Sequence, residues 1–69
     1  MRIRYDPSVD ALYIRLREGA VEESDEVAQR IILDYDKDGN AMGIEILDAS
    51  EALGGREMRV ELTLAEGKK

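Results

Sequence analysis

The chain has no cysteine and no histidine among its 69 residues. Disulfides, Cys/His zinc sites and imidazole catalysis are therefore excluded. It also lacks any apolar run near the ~18 residues of a membrane span, and the start Met1-Arg2-Ile3-Arg4 is basic and strand-like rather than a signal peptide. Side-chain amides are scarce, with one Asn (Asn40) and one Gln (Gln29) beside sixteen acidic and ten basic residues. Proteins of thermophiles tend to show that balance. Together these absences lead us to expect a cytoplasmic protein with no cofactor, no metal and no membrane contact.

Size limits the core. A chain this short buries only about 60% of the surface its unfolded form exposes, and a core of that kind rarely supplies more than roughly 3–5 kcal/mol. With disulfides and Cys/His metal cages excluded, association is the remaining supplement, so a homo-oligomer or a protein partner is expected. The net charge of −6 disfavours nucleic acid and anionic membranes. The charge is uneven, however: residues 1–17 carry four arginines (Arg2, Arg4, Arg15, Arg17) against Asp6 and Asp10.

Period-2 alternation dominates what is present. Met1, Ile3 and Tyr5 alternate with Arg2, Arg4 and Asp6, and Leu12, Ile14 and Leu16 alternate with Tyr13, Arg15 and Arg17. Pairing Tyr5 with Leu12 and Ile3 with Ile14 puts the apolar set on one face of a hairpin whose connection holds Asp6-Pro7-Ser8-Val9-Asp10. Residues 18–26 are polar without alternation and read as a loop. Residues 24–33 read in two ways. Ser24 can cap a helix with Asp25 and Glu26 in its first turn, or Val27, Ile31, Leu33 and Tyr35 can form a strand over 27–35, the more economical reading. A second hairpin follows, turning at Asp36-Lys37-Asp38-Gly39-Asn40 and pairing Ile31 with Ile46, Leu33 with Ile44 and Tyr35 with Met42. Asp48-Ala49-Ser50-Glu51 has capping-box spacing and Gly54-Gly55 a stop signal, which predicts a short helix near 48–54. Met58, Val60, Leu62 and Leu64 alternate with Arg59, Glu61 and Thr63, which predicts a last strand at about 57–65 on the sheet edge or across a dimer.

The expected fold is thus a single α+β, β-rich domain over residues 1–66. It is an antiparallel meander of two hairpins plus one short helix and a C-terminal strand, with a frayed tail at 67–69. The runs Tyr5-Asp-Pro-Ser-Val-Asp-Ala-Leu-Tyr-Ile14, Ile32-Leu-Asp-Tyr-Asp36, Gly39 and Gly43-Ile-Glu-Ile-Leu-Asp-Ala-Ser50 resemble the domain of unknown function 2283 family, over about residues 1–53. The resemblance implies a compact β-rich fold, supports the strand reading of 27–35, and implies no activity.

Two constellations bear on chemistry. Asp34-Tyr-Asp-Lys-Asp-Gly-Asn-Ala-Met-Gly-Ile-Glu45 matches the calcium loop D-x-D-x-D-G-x5-E at every fixed position. Convergence of those ligands requires helical flanks, whereas here Met42 to Ile46 alternate as a strand and Asp34 falls opposite Gly43, away from Asp38 at the tip. The reading is turn chemistry rather than a metal site. Arg2, Arg4, Tyr13, Arg15 and Arg17 share the outward face of the first hairpin, the arrangement that contacts single-stranded nucleic acid. The competing reading pairs these arginines with Glu26, Glu45 or Glu61 across strands. Ile32 and Leu47 fall on the same outward side, which completes a candidate interaction face. Catalysis finds little to work with: Asp6 and Asp10 suit turn backbone bonding, and Ser8, Ser24 and Ser50 have no recognisable base. The expectation is a non-enzymatic protein-interaction or self-associating module, with nucleic-acid contact the alternative and calcium binding behind it.

Overall fold

The computed structural model describes residues 1–55 and 57–65. Five strands, β1 (Arg2–Asp6), β2 (Ala11–Arg15), β3 (Glu23–Ala28), β4 (Ile31–Tyr35) and β5 (Ala41–Ile46), precede one short helix, α1 (Ala49–Ala52). They form one antiparallel sheet in the order β1-β2-β5-β4-β3. Two local units therefore meet at a single seam, the β1–β2 hairpin on one side and the β3–β4–β5 meander on the other. No helix among the described residues is long and apolar enough to cross a membrane.

The hairpin registers follow the alternation. Ile3 pairs with Ile14 and Tyr5 with Leu12, while Ile31 pairs with Ile46 and Leu33 with Ile44. A one-residue slip would send every apolar side chain to the other face, so the buried-face requirement sets these registers. Tyr35 departs from expectation and pairs with Ala41, because a bulge makes Met42 an extra residue. Met42 is buried at 2% exposure, its carbonyl accepts the Leu16 N–H at 2.8 Å, and its Cε lies where a Cβ on Gly19 would collide. The bulge thus tucks Met42 beneath the loop after β2.

Three expectations are corrected. The stretch 18–26 is not all loop, since β3 begins at Glu23. It is an edge strand whose charge replaces alternation, which is how edges avoid unwanted pairing. The strand expected over 27–35 is broken by a two-residue turn at Gln29-Arg30, with Arg30 in the left-handed region at φ 72. The meander accordingly has a third hairpin, β3–β4, and the helical alternative for 24–33 falls with it. Finally, residues 57–65 lie in no strand or helix of the single chain, so the expected last strand does not pair at the edge of its own sheet. The expected frayed tail at 67–69 lies outside the described residues.

The helix starts where predicted but is capped differently. Asp48 sits at φ 49 and makes no side-chain cap. Asp10, itself at φ 54, supplies the cap from forty residues away. Its backbone carbonyl accepts the Ala49 N–H at 2.8 Å, and its carboxylate accepts the Ser50 N–H at 3.0 Å and the Ser50 hydroxyl at 2.8 Å. The Tyr5 hydroxyl donates to the same carboxylate at 2.7 Å. Helix, β1 and the β1–β2 connection are clasped together through one aspartate.

Candidate interaction surface

The two faces of the sheet differ in chemistry because side chains alternate along each strand. One face presents Ile3, Tyr5, Leu12, Ile14, Ile31, Leu33, Ile44 and Ile46 as a continuous aliphatic band, aligned by the registers above. It is incompletely covered. Met42 and Ala49 are the only buried hydrophobic residues among those described, and β2 and β4 are half-buried throughout.

The other face is polar. Arg2, Arg4, Tyr13 and Arg15 line one shallow depression of about 170 Å³. Across it runs a hydrogen-bonded chain that spans the sheet. Arg15 Nη1 donates to the Tyr13 hydroxyl at 3.5 Å, that hydroxyl donates to Asp34 Oδ2 at 2.9 Å, and the Ser24 hydroxyl donates to Asp34 Oδ1 at 2.6 Å. Tyr13 is on β2 and Asp34 on β4, so its ring must cross β5. It does so over Gly43, where an added Cβ would run into the ring and hydroxyl of Tyr13. Glycine inside a strand commonly marks such a close approach.

Of the predicted interaction face, Arg2, Arg4, Tyr13 and Arg15 are brought together. Arg17 lies just past the end of β2, where its carbonyl accepts from Arg15 Nε at 3.0 Å. Ile32 lies beside Glu45 and, one strand further, Tyr13, so it belongs to the same face. Leu47 lies just past the end of β5, with its N–H donated to the Arg30 carbonyl at 2.9 Å. The arginines do not take the glutamates expected of them. Arg2 pairs with Glu18 at 3.2 Å, and Arg15 is held by the carbonyls of Arg17 and Gly19.

The 34–45 segment is organised as a turn. Asp36 Oδ1 accepts the backbone N–H groups of Asp38 and Asn40 at 2.9 Å each, and Oδ2 accepts the Asn40 side-chain amide at 3.0 Å. Asp34 is engaged by Tyr13 and Ser24, so the two carboxylates serve different partners. No group of three or more carboxylates with metal-holding geometry occurs among the described residues. Hydrogen bonds also set the pKa values that move. Asp36 is lowered by Asn40, Asp10 by the hydroxyls of Tyr5 and Ser50, and Asp6 by the hydroxyl and N–H of Ser8. Tyr5 is raised by its bond to Asp10.

Sequence reasoning placed Asp34 opposite Gly43 but missed the Tyr13–Asp34–Ser24 chain and the Asp10–Ser50 clasp. The isolated strand glycine was the available signal for the first. The second joins residues forty apart and left no local trace.

Residues 2–50 match the model of a family described as "Protein of unknown function (DUF2283)". No curated protein and no solved structure matches the chain.

Proposed function

This chain belongs to the DUF2283 family, whose description assigns no activity, and from that premise we propose that the protein is a non-enzymatic module that associates with a second copy of itself. The observation that carries the proposal is surface. The chain exposes 5722 Å², whereas a compact monomer of 7.8 kDa exposes roughly 4,400 Å² by size scaling. Its radius of gyration is 13.7 Å against about 11 Å for a compact chain of this length. The excess, roughly 1,300 Å², is more than the ~800 Å² that each partner contributes to a standard interface. Exposed apolar side chains include Ile3 and Tyr5 on the β1 edge and Val60, Leu62 and Leu64 in the segment 57–65.

The chemistry of the shifted carboxylates supports a non-catalytic role. The carboxylates that shift, Asp6, Asp10 and Asp36, shift downward, away from the near-neutral value that acid–base catalysis at pH 7 uses. Contact with single-stranded nucleic acid through the Arg/Tyr face has less support, since Tyr13 is held over Gly43 and Arg15 is tied to backbone carbonyls.

Sedimentation equilibrium tests the reading. We expect a dimer at micromolar concentration and a urea midpoint that rises with protein concentration, as mass action requires when folding and association are linked. A strict monomer with a concentration-independent midpoint would refute it.

A further inference from the structure

The segment 57–65 carries the two most exposed large apolar side chains of the described residues, Leu62 at 91% and Leu64 at 87%, with Val60 beside them at 67%. It alternates as a strand does, yet it pairs with none of the five. Isolated leucines on a surface need no explanation, but an alternating row of them with every backbone group unpaired by the sheet does.

The sheet offers two edges. β3 presents Glu23, Asp25 and Glu26 and is bulged at Val27, and both features repel an added strand. β1 is unbulged, with Ile3 and Tyr5 44% and 41% exposed. Antiparallel to β1, one register satisfies every position: Arg59 opposite Asp6, Val60 opposite Tyr5, Glu61 opposite Arg4, Leu62 opposite Ile3 and Thr63 opposite Arg2. Opposite charges meet on one face and apolar side chains meet on the other. A slip of one residue mixes the faces, and a slip of two sets Arg59 against Arg4 or Glu61 against Asp6. Against β3, Glu61 would lie among carboxylates.

Resting on the self-association reading above, we propose that residues 57–65 of one copy add antiparallel to β1 of a second copy as a sixth strand. In the single chain the segment leaves β1 uncovered, so the strand that covers it comes from the partner. Reciprocal exchange closes a two-fold dimer and leaves neither β1 edge open. The two aliphatic faces are extended by Met58, Val60, Leu62 and Leu64 of the exchanged strands.

Two full-chain experiments test this. In a protein without native cysteine, the double variant Ile3→Cys/Leu62→Cys should oxidise to a disulfide-linked dimer on a non-reducing gel. Cross-linking confined to single chains would overturn the exchange. In parallel, Arg4→Glu and Glu61→Arg should each weaken the dimer about tenfold, because two-fold symmetry counts the contact twice, and the combined reversal should restore it to within about threefold. Both sites are exposed strand or tail positions, and circular dichroism checks that each variant folds. If association persists but ignores the charge reversals, the strand exchange fails while the self-association reading survives. If the unmodified protein does not associate, both fall.

Discussion

Gly43 and Tyr13 show how one absent side chain organises a face. Gly43 lies in β5 outside the left-handed region, so its backbone conformation is open to any residue. The space above it is what demands glycine, because the Tyr13 ring crosses there to reach Asp34. Gly43→Ala should destabilise the fold by about 1–3 kcal/mol through this overlap. In a Tyr13→Ala background the same change should be neutral or stabilising by up to about 1 kcal/mol, since alanine suits a strand better than glycine. A urea double-mutant cycle measures the coupling, and equal costs in both backgrounds would rule out the ring as the cause. Asp10 carries a different consequence. Its folded-state pKa is lowered by Tyr5 and Ser50 from the ordinary 3.8, and Asp6 and Asp36 move the same way. A lowered carboxylate stabilises the fold above its unfolded value, and that stability is lost as pH falls through the folded value. The urea midpoint should therefore hold from about pH 5 upward and drop below about pH 4. Asp10→Asn should lower the plateau and flatten the acid limb. An acid limb identical to that of the parent protein would show that the clasp is not what titrates. Tyr5 works at the opposite end: its raised value means that its contribution is lost only as pH climbs past the ordinary 10.0.

Strands that bury one face were legible and those that do not were obscure. The β1–β2 and β4–β5 registers could be read because Ile3, Tyr5, Leu12, Ile14, Leu33 and Ile44 must share a side. β3 was hidden because an edge strand needs only backbone partners, and its Glu-Ser-Asp-Glu sequence is selected to discourage other strands rather than to pack. The Gln29-Arg30 turn was hidden for a different reason. Its left-handed position is filled by Arg30, not by Gly or Asn, and the side chain there reaches Asp48 at 3.8 Å and Glu51 at 3.4 Å. Such exposed pairs contribute at most about 1 kcal/mol each, comparable to the cost of the conformation. The capping-box signal at Asp48 gave the right place for α1 and the wrong cap, since spacing alone cannot foresee a carboxylate arriving from Asp10. As for the candidate surface, the arginine and tyrosine face could be assembled from alternation, but what holds it together, Asp34 and Ser24, required knowing that β3 exists.

Taken as one body, the protein is a slab of 35 × 35 × 20 Å, a single sheet with too little mass to close both faces. That thinness is why association is the reading its surface supports. The seam between β2 and β5 has a further consequence, in the order of events. Each half of the sheet is made by short-range pairing, whereas the seam joins Leu12 to Ile46 and Arg15 to Gly43, and the Asp10–Ser50 clasp locks it from outside. Long-range contacts form against the entropy of closing the intervening loop, so we predict that the hairpin and the meander form first and the clasp last. Ser50→Ala, costing about 1 kcal/mol, should then leave the refolding rate nearly unchanged and speed unfolding about fivefold in a stopped-flow chevron recorded below the dimer concentration. A slowed refolding arm instead would place the clasp inside the nucleus. If it does form last, the two halves of every newly made chain spend time as independent pieces, and during that interval the seam of one molecule is open to the hairpin of another.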